Sequence, residues 1–354
     1  MIEPREVAEE TTKPRSLEWF ARFLALLLLV GFPLSVLVIS QKSTFSSGKL
    51  IEIHARMPEQ GGWSLGSLSI TAGEPLHLRL VSDDVVHGFK IGRSDEPAIE
   101  LLPGKSVETS LTFEQPGKYT FYCTRWCGPD HWRMRGMIEV LPRQGEPAPI
   151  FEQEPPLYVS LGLEIDKPHP AHVIPQKTPT AAQGAALGIN LPESYLSQSF
   201  YRSHSPAQAW ENLRRDPFSE KLDDQQIWNL VAVIWLSNTD SMALENGKKL
   251  YSQNCAACHG TDGAGDGVYS AELADRNTGS HSEMGTDGQT LSAPADFTDP
   301  TKMLGASPAL LQGKILRGGM GTGMPYWGPI FTEEEIWDLV NALYAFQFNL
   351  EVDK

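Results

Sequence analysis

All four cysteines of this 354-residue chain fall in two short motifs, and the first of these constrains the fold most. Residues Cys123-Thr124-Arg125-Trp126-Cys127-Gly128-Pro129-Asp130-His131-Trp132-Arg133-Met134 read Cys-x3-Cys-x3-His-x2-Met. Sulfur ligands with imidazole select copper, iron–sulfur clusters or zinc over hard cations. The thioether argues against structural zinc, which is held by Cys, His and sometimes carboxylate. One Cys with His and a weak axial Met would describe a mononuclear copper site. A second Cys one short step on allows two thiolates to bridge two copper ions, with His and Met completing the pair. Such a pair shares one unpaired electron, so its geometry changes little when an electron arrives or leaves. Zinc and an oxidised disulfide are the alternatives to dinuclear copper.

The residues around this loop predict a rigid frame for it. Leu50-Ile51-Glu52-Ile53-His54-Ala55, Ser67-Leu68-Ser69-Ile70 and Pro75-Leu76-His77-Leu78-Arg79-Leu80 alternate as strands do. Ala72-Gly73-Glu74, Pro103-Gly104 and Gln115-Pro116-Gly117 are turn signals. Lys118-Tyr119-Thr120-Phe121-Tyr122 leads into Cys123, and Gly136-Met137-Ile138-Glu139-Val140 leads away. Residues 50–142 are therefore expected to form an all-β sandwich whose ligand loop joins two adjacent strands. A sandwich end fixes ligands before metal arrives. His54 and His77 read as surface or packed histidines.

This stretch resembles the CuA loop of subunit II of haem–copper oxidases, a cupredoxin-like domain also found in nitrous oxide reductase and some nitric oxide reductases. That family takes a further His from an upstream turn, and Val85-Val86-His87-Gly88-Phe89 matches the position. The resemblance implies Cys123 and Cys127 as bridging ligands and His87 and His131 as terminal ones. Met134 and the main-chain carbonyl of Arg125 would be weak ligands. Arg125 stands where the family often has a Glu that helps bind magnesium; an Arg cannot do that, so no such site is expected.

The second motif is Cys255-Ala256-Ala257-Cys258-His259. Cys-x-x-Cys-His attaches c-type haem: both thiols add to vinyl groups and His supplies the proximal nitrogen. It follows the helical run Gly247-Lys248-Lys249-Leu250-Tyr251 and precedes Gly260-Thr261-Asp262-Gly263, a setting similar to class I cytochromes c. Residues 241–354 are thus expected to be an all-α cytochrome c domain with one covalent haem c. Its distal ligand should be a Met, which raises the potential relative to a second His. The family pattern Gly-x-Gly-Met-Pro falls on Met324, with Met320 the alternative. Residues 262–296 read as an irregular insertion. With two Cys assigned to copper and two to haem, none is left for a structural disulfide.

The remaining segments set the organisation. Residues 1–22 form a polar tail, expected to be cytoplasmic. Residues 23–40, FLALLLLVGFPLSVLVIS, would span about 27 Å as a helix, close to the roughly 30 Å hydrocarbon core. The long polar lead and the lack of an Ala-x-Ala site favour a retained single transmembrane helix over a cleaved signal. The resemblance to cytochromes c implies that haem is attached outside the cytoplasm, so the globular domains are expected on the periplasmic side of the cell membrane. Residues 143–185 are proline-rich and read as a stiff linker. Residues 186–240 end in an amphipathic run, Leu222 to Leu236, that parallels Phe331 to Leu343. Ser205-Pro206-Ala207 likewise parallels Ser307-Pro308-Ala309. This segment is either a haemless cytochrome-like remnant or a pair of ordinary amphipathic helices.

The chain carries 29 basic and 44 acidic residues, a net charge of -15, which disfavours nucleic acid and suits a basic protein donor such as a soluble cytochrome. An anchor, a copper sandwich and a haem domain describe an electron wire whose chemistry occurs in a partner. The resemblance implies a membrane-embedded haem–copper subunit I, with electrons passing from donor to haem c to CuA and then to oxygen. Departures include one span in place of a two-helix hairpin and no aromatic run before the sandwich to receive electrons. A nitric oxide reductase subunit and a free-standing anchored electron carrier are the competing readings.

Overall fold

Alternating burial along Ile51–Ala55, Pro75–Ser82 and Arg135–Leu141 sets the inner faces of the first domain. The computed structural model describes residues 50–128, 130–147, 154–271, 293–319 and 323–350, with Trp19 and Leu24. The expected membrane helix at 23–40, apart from Leu24, lies outside the described residues, as do Met320 and most of the 262–296 insertion. Among the described residues no helix is long and apolar enough to cross a membrane.

Eight strands follow in order: β1 (Ile51–Ala55), β2 (Ser67–Thr71), β3 (Pro75–Ser82), β4 (His87–Ile91), β5 (Ile99–Leu101), β6 (Ser106–Thr112), β7 (Gly117–Tyr122) and β8 (Arg135–Leu141). One sheet has the order β1-β3-β6 and the other β2-β8-β7-β4-β5. The β1–β3 and β2–β8 pairs are parallel, so both sheets mix directions. Ile51, Ile53, Leu76, Leu78 and Leu80 from the first sheet face Phe89, Phe121, Ile138 and Val140 from the second, all buried. Each such side chain contributes roughly 1.5–3 kcal/mol on burial. Trp63 packs edge-on against Phe89 and Phe121 at 5.8 and 5.7 Å, and those two stack at 5.4 Å. This aromatic cluster fixes the ends of β4 and β7 from which His87 and Cys123 project.

The second domain is helical. Its longer helices are α1 (Pro206–Arg215), α2 (Asp224–Ser237), α3 (Ser241–Asn254), α4 (Pro308–Arg317) and α5 (Glu333–Tyr344). Ser205 and Ser307 cap α1 and α4, each followed by proline in the first turn. Asp223 with Gln226 and Thr332 with Glu335 form capping boxes on α2 and α5. Such caps satisfy amides that the helix itself leaves without partners. α3 crosses α5 at Gly247, where a β-carbon would stand 2.0 Å from the Asp338 carbonyl oxygen. The short helix Ala181–Ala186 crosses α2 in the same way, and a β-carbon on Gly184 would stand 2.2 Å from the Asn229 carbonyl oxygen. Trp228 and Trp235 of α2 share one buried core with Ile336, Leu339, Val340 and Tyr344 of α5.

The proline-rich stretch lies against this core from residue 157 onward. Tyr158 sits over Gly313, Ile165 is buried, and the Ala171 amide donates to the Thr301 carbonyl at 2.7 Å. Asp166 accepts from both amino groups of Arg317.

Candidate metal centre and haem site

The first site is made by strand register. β4 and β7 pair Lys90 with Tyr122 and Ile91 with Phe121, which brings His87 and Cys123 to the same end of one sheet. The Cys123 amide donates to the Met134 carbonyl at 3.0 Å, closing the ligand loop at its base. Within the loop, Gly128 has φ 128°, a conformation that favours glycine, and Asp130 sits in the left-handed region at 57°. The chain thereby turns back so that His131 and Met134 face the cysteines.

The result is a compact cluster of soft donors. His87, Cys123, Cys127 and Met134 are 0, 3, 4 and 1 % exposed. The Cys123 Sγ lies 3.7 Å from His87 Nδ1 and 3.2 Å from the Arg125 carbonyl oxygen. The Cys127 Sγ lies 3.3 Å from His131 Nδ1 and 3.1 Å from Met134 Sδ. Donor atoms of His87, Cys123 and Cys127 all fall within 4.8 Å of one another. All four cysteines are free thiols. Every side chain expected from the sequence is therefore in the cluster, and Arg125 contributes its carbonyl while its guanidinium pairs with Glu100 at 2.6 Å.

Electrostatics in the cluster favour one thiolate. A hydrogen bond from Cys127, assisted by His131 and His87, holds the Cys123 thiol far below its ordinary range. Cys127 is pushed up in turn by Cys123 and by burial. A metal ion replaces the proton that such a pair shares. One residue not anticipated from the sequence completes the arrangement: Asp84, whose Oδ1 accepts from His87 Nε2 at 2.7 Å. A carboxylate orienting a ligand imidazole fixes its tautomer and leaves Nδ1 turned to the thiols. Burial alone would raise the Asp84 pKa, but amides of Met57 and Val85 and the His87 ring outweigh it and lower it. The donor set and its partners fit copper.

The second site follows α3. Cys255 caps the helix, and a short helix Ala256–His259 carries the rest of the motif. His259 Nδ1 donates to the Ala295 carbonyl at 3.0 Å, which leaves Nε2 for a metal. Desolvation holds the His259 pKa down, in the neutral form that ligation needs. Phe297 stacks on the ring at 4.6 Å, and Tyr251 donates to the Gly260 carbonyl at 2.8 Å to pin the end of the motif. Met324 packs half-buried against the helical core, and its neighbours Gly323 and Pro325 line the same cavity as Ala257 and Cys258. The chemistry and placement of these residues fit a covalently attached haem.

That cavity, of about 110 Å³, is also lined by Cys123, His131 and Met134, so the two sites face one another. The domains are joined around it. Arg93 donates from its amide to the Ile330 carbonyl and from Nε to Gly328, both at 2.8 Å. Arg135 donates to the Tyr326 carbonyl at 2.6 Å and lies over the Tyr326 and Trp327 rings. Trp126 stacks on Tyr269 with ring centroids 3.4 Å apart. None of these contacts is visible in the sequence, because each joins segments far apart in the chain.

Residues 244–343 match the cytochrome c family. Cytochrome c oxidase subunit 2 of Thermus thermophilus is 32% identical over 79 residues, 22% of this chain and 58% of that protein. The Cbb3-type cytochrome c oxidase subunit FixPc of Rhizobium leguminosarum bv. viciae is 44% identical over 63 residues, 17% of this chain and 22% of that protein. A solved haem–copper terminal oxidase dimer contains a chain 27% identical, covering 36% of this chain and 99% of that one, with a TM-score of 0.23. The chain thus spans 58% and 22% of the lengths of these curated relatives. It is similar to subunit 2 of cytochrome c oxidases, and a cytochrome c domain occupies its carboxy-terminal part.

Proposed function

We propose that this chain is the electron-transfer subunit of a membrane respiratory terminal oxidase. Electrons pass from a donor to haem c, then to a dinuclear copper centre, then to a haem–copper subunit I that reduces oxygen to water. The observation that carries the reading is that Cys123, His131 and Met134 from one domain and Cys258 from the other line a single cavity between them. Cys123 and Cys127 would bridge the copper pair, His87 and His131 would end it, and Met134 with the Arg125 carbonyl would be weak ligands. Cys255 and Cys258 would hold the haem covalently, with His259 and Met324 as its axial ligands. When bound, the copper pair and the haem each take up and release one electron.

Neither ligand set leaves a position for a substrate, so the chemistry falls to the partner subunit. Residues 23–40 would be the single span, with the amino terminus cytoplasmic and both globular domains periplasmic. Holding haem beside copper on one chain raises its effective concentration there and removes diffusion from the transfer. Residues 186–240, with the helix leading into them, would be a haemless cytochrome-like unit. Its support is the Gly184–Asn229 crossing, which repeats the Gly247–Asp338 crossing at the equivalent place after an Ile-Trp pair.

Turnover of the detergent-purified complex with oxygen and with nitric oxide, run in parallel, tests the function. Oxygen consumption with a copurifying haem–copper subunit is expected. Turnover with nitric oxide alone, or recovery of the chain with no other haem protein, would contradict it.

A further inference from the structure

We infer that Trp126 and Tyr269 form the bridge across which the electron passes between the two centres. The inference rests on the reading above that haem and copper occupy the two ligand sets. Trp126 lies between Cys123 and Cys127 without being a ligand, and its indole projects from the loop, 40 % exposed. One side of the indole faces the His131 imidazole, with centroids 5.5 Å apart. It also stacks on Tyr269 at 3.4 Å, with the rings within 19° of parallel. The Tyr269 amide donates to the Ala257 carbonyl at 3.0 Å, and Ala257 sits between the two haem-attaching cysteines. From copper ligand to haem-bearing segment every step is therefore a ring contact, a covalent link or a hydrogen bond.

The competing path runs straight across the cavity. Its volume of about 110 Å³ leaves a gap between the walls of the two domains. Electron coupling decays more steeply across solvent than through packed atoms, so the aromatic pair is the better conductor. The stack is also held in place from both domains. Arg135 on the copper side and the Tyr326–Ile330 segment on the haem side lock together, as do Arg93 and Gly328. One electron leaves the reduced haem iron and arrives on the oxidised copper pair; no bond forms or breaks and no proton moves.

Flash-induced reduction of haem c in the full-length holoprotein, followed at the copper absorption band, tests this. Trp126→Leu and Tyr269→Leu are each expected to slow haem-to-copper transfer by about tenfold or more, since small displacements of reacting groups have large effects on rate. Trp126→Phe and Tyr269→Phe keep a ring and should retain most of the rate. In the Tyr269 variants the copper spectrum and both midpoint potentials should stay unchanged. A second readout is hydrogen exchange of the purified chain, where Tyr269→Leu should expose residues 124–128 and Trp126→Leu residues 267–271. Tyr269→Leu leaves every metal ligand in place, so its result stands even where Trp126→Leu weakens copper binding. Transfer at the parental rate in Tyr269→Leu would overturn the bridge. Absence of any haem-to-copper transfer in the parental chain would instead sink the electron route, and the bridge with it.

Discussion

At the scale of the residue, the copper loop depends on a carboxylate outside it. Asp84 holds His87 through Nε2, so Asp84→Asn should weaken copper binding by about 10–100-fold while leaving the sandwich folded. Competition with a copper chelator measures this, and an unchanged affinity would show that His87 needs no orienting partner. Met134 is a weak donor in a fully buried place. Met134→Leu conserves volume, so it should cost less than about 1.5 kcal/mol in stability. Loss of the thioether should raise the copper midpoint potential, because an electron-donating ligand favours the oxidised form. Potentiometric titration that found no shift would remove Met134 from the ligand set.

The ligands themselves were legible because their types and spacing occur together in one short run. Asp84 was not, since one Asp in an Asp-Asp pair on a turn reads as a solvated charge until His87 is seen against it. Tyr269 was hidden for another reason: no local pattern marks a ring whose partner lies in a different domain. His54 also takes its role from the fold. Hydrogen bonds to Asp83 and then Glu52 raise its pKa above 6.5. The charged form is therefore favoured by folding, so its contribution is full below 6.5 and is lost as pH rises through the raised value. The ring is about one-third exposed, so screening keeps the effect below about 1 kcal/mol. The urea midpoint should fall slightly between about pH 6 and about pH 8, and His54→Gln should remove that slope.

At the scale of the element, the helical domain is organised by two close crossings. A methyl group at Gly247 would strike the Asp338 carbonyl, and one at Gly184 would strike Asn229. Gly247→Ala and Gly184→Ala should each destabilise the domain by about 1–3 kcal/mol, as overpacking does. Thermal unfolding followed by haem absorbance measures both. A harmless Gly184→Ala would mean that the crossing in front of α2 is loose and would weaken the case for a repeated unit. β1 and β3 were readable from alternation, because one face of each is buried. α2 and α5 were readable from acidic starts and helical spacing. Contact between the proline-rich stretch and the helices was not, because proline density marks irregular backbone whether or not it is packed.

At the scale of the whole molecule, two redox sites are set face to face by contacts that no segment encodes alone. Arg93 and Arg135 of the sandwich reach carbonyls of the segment that follows Met324. The haem motif and the distal segment both border the copper loop as a result. A net charge of -15 should speed encounter with a basic donor, so haem reduction by such a donor should slow as salt is added. Stopped-flow rates that ignore ionic strength would argue for an uncharged or fixed donor instead. The central claim is a paired copper centre beside one haem on the same chain. Electron paramagnetic resonance of the oxidised, purified protein, together with its copper and haem content, tests it most directly. The account predicts two copper ions and one haem per chain, with hyperfine splitting from two equivalent copper nuclei; a single-nucleus copper pattern, or zinc between Cys123 and Cys127, would contradict it.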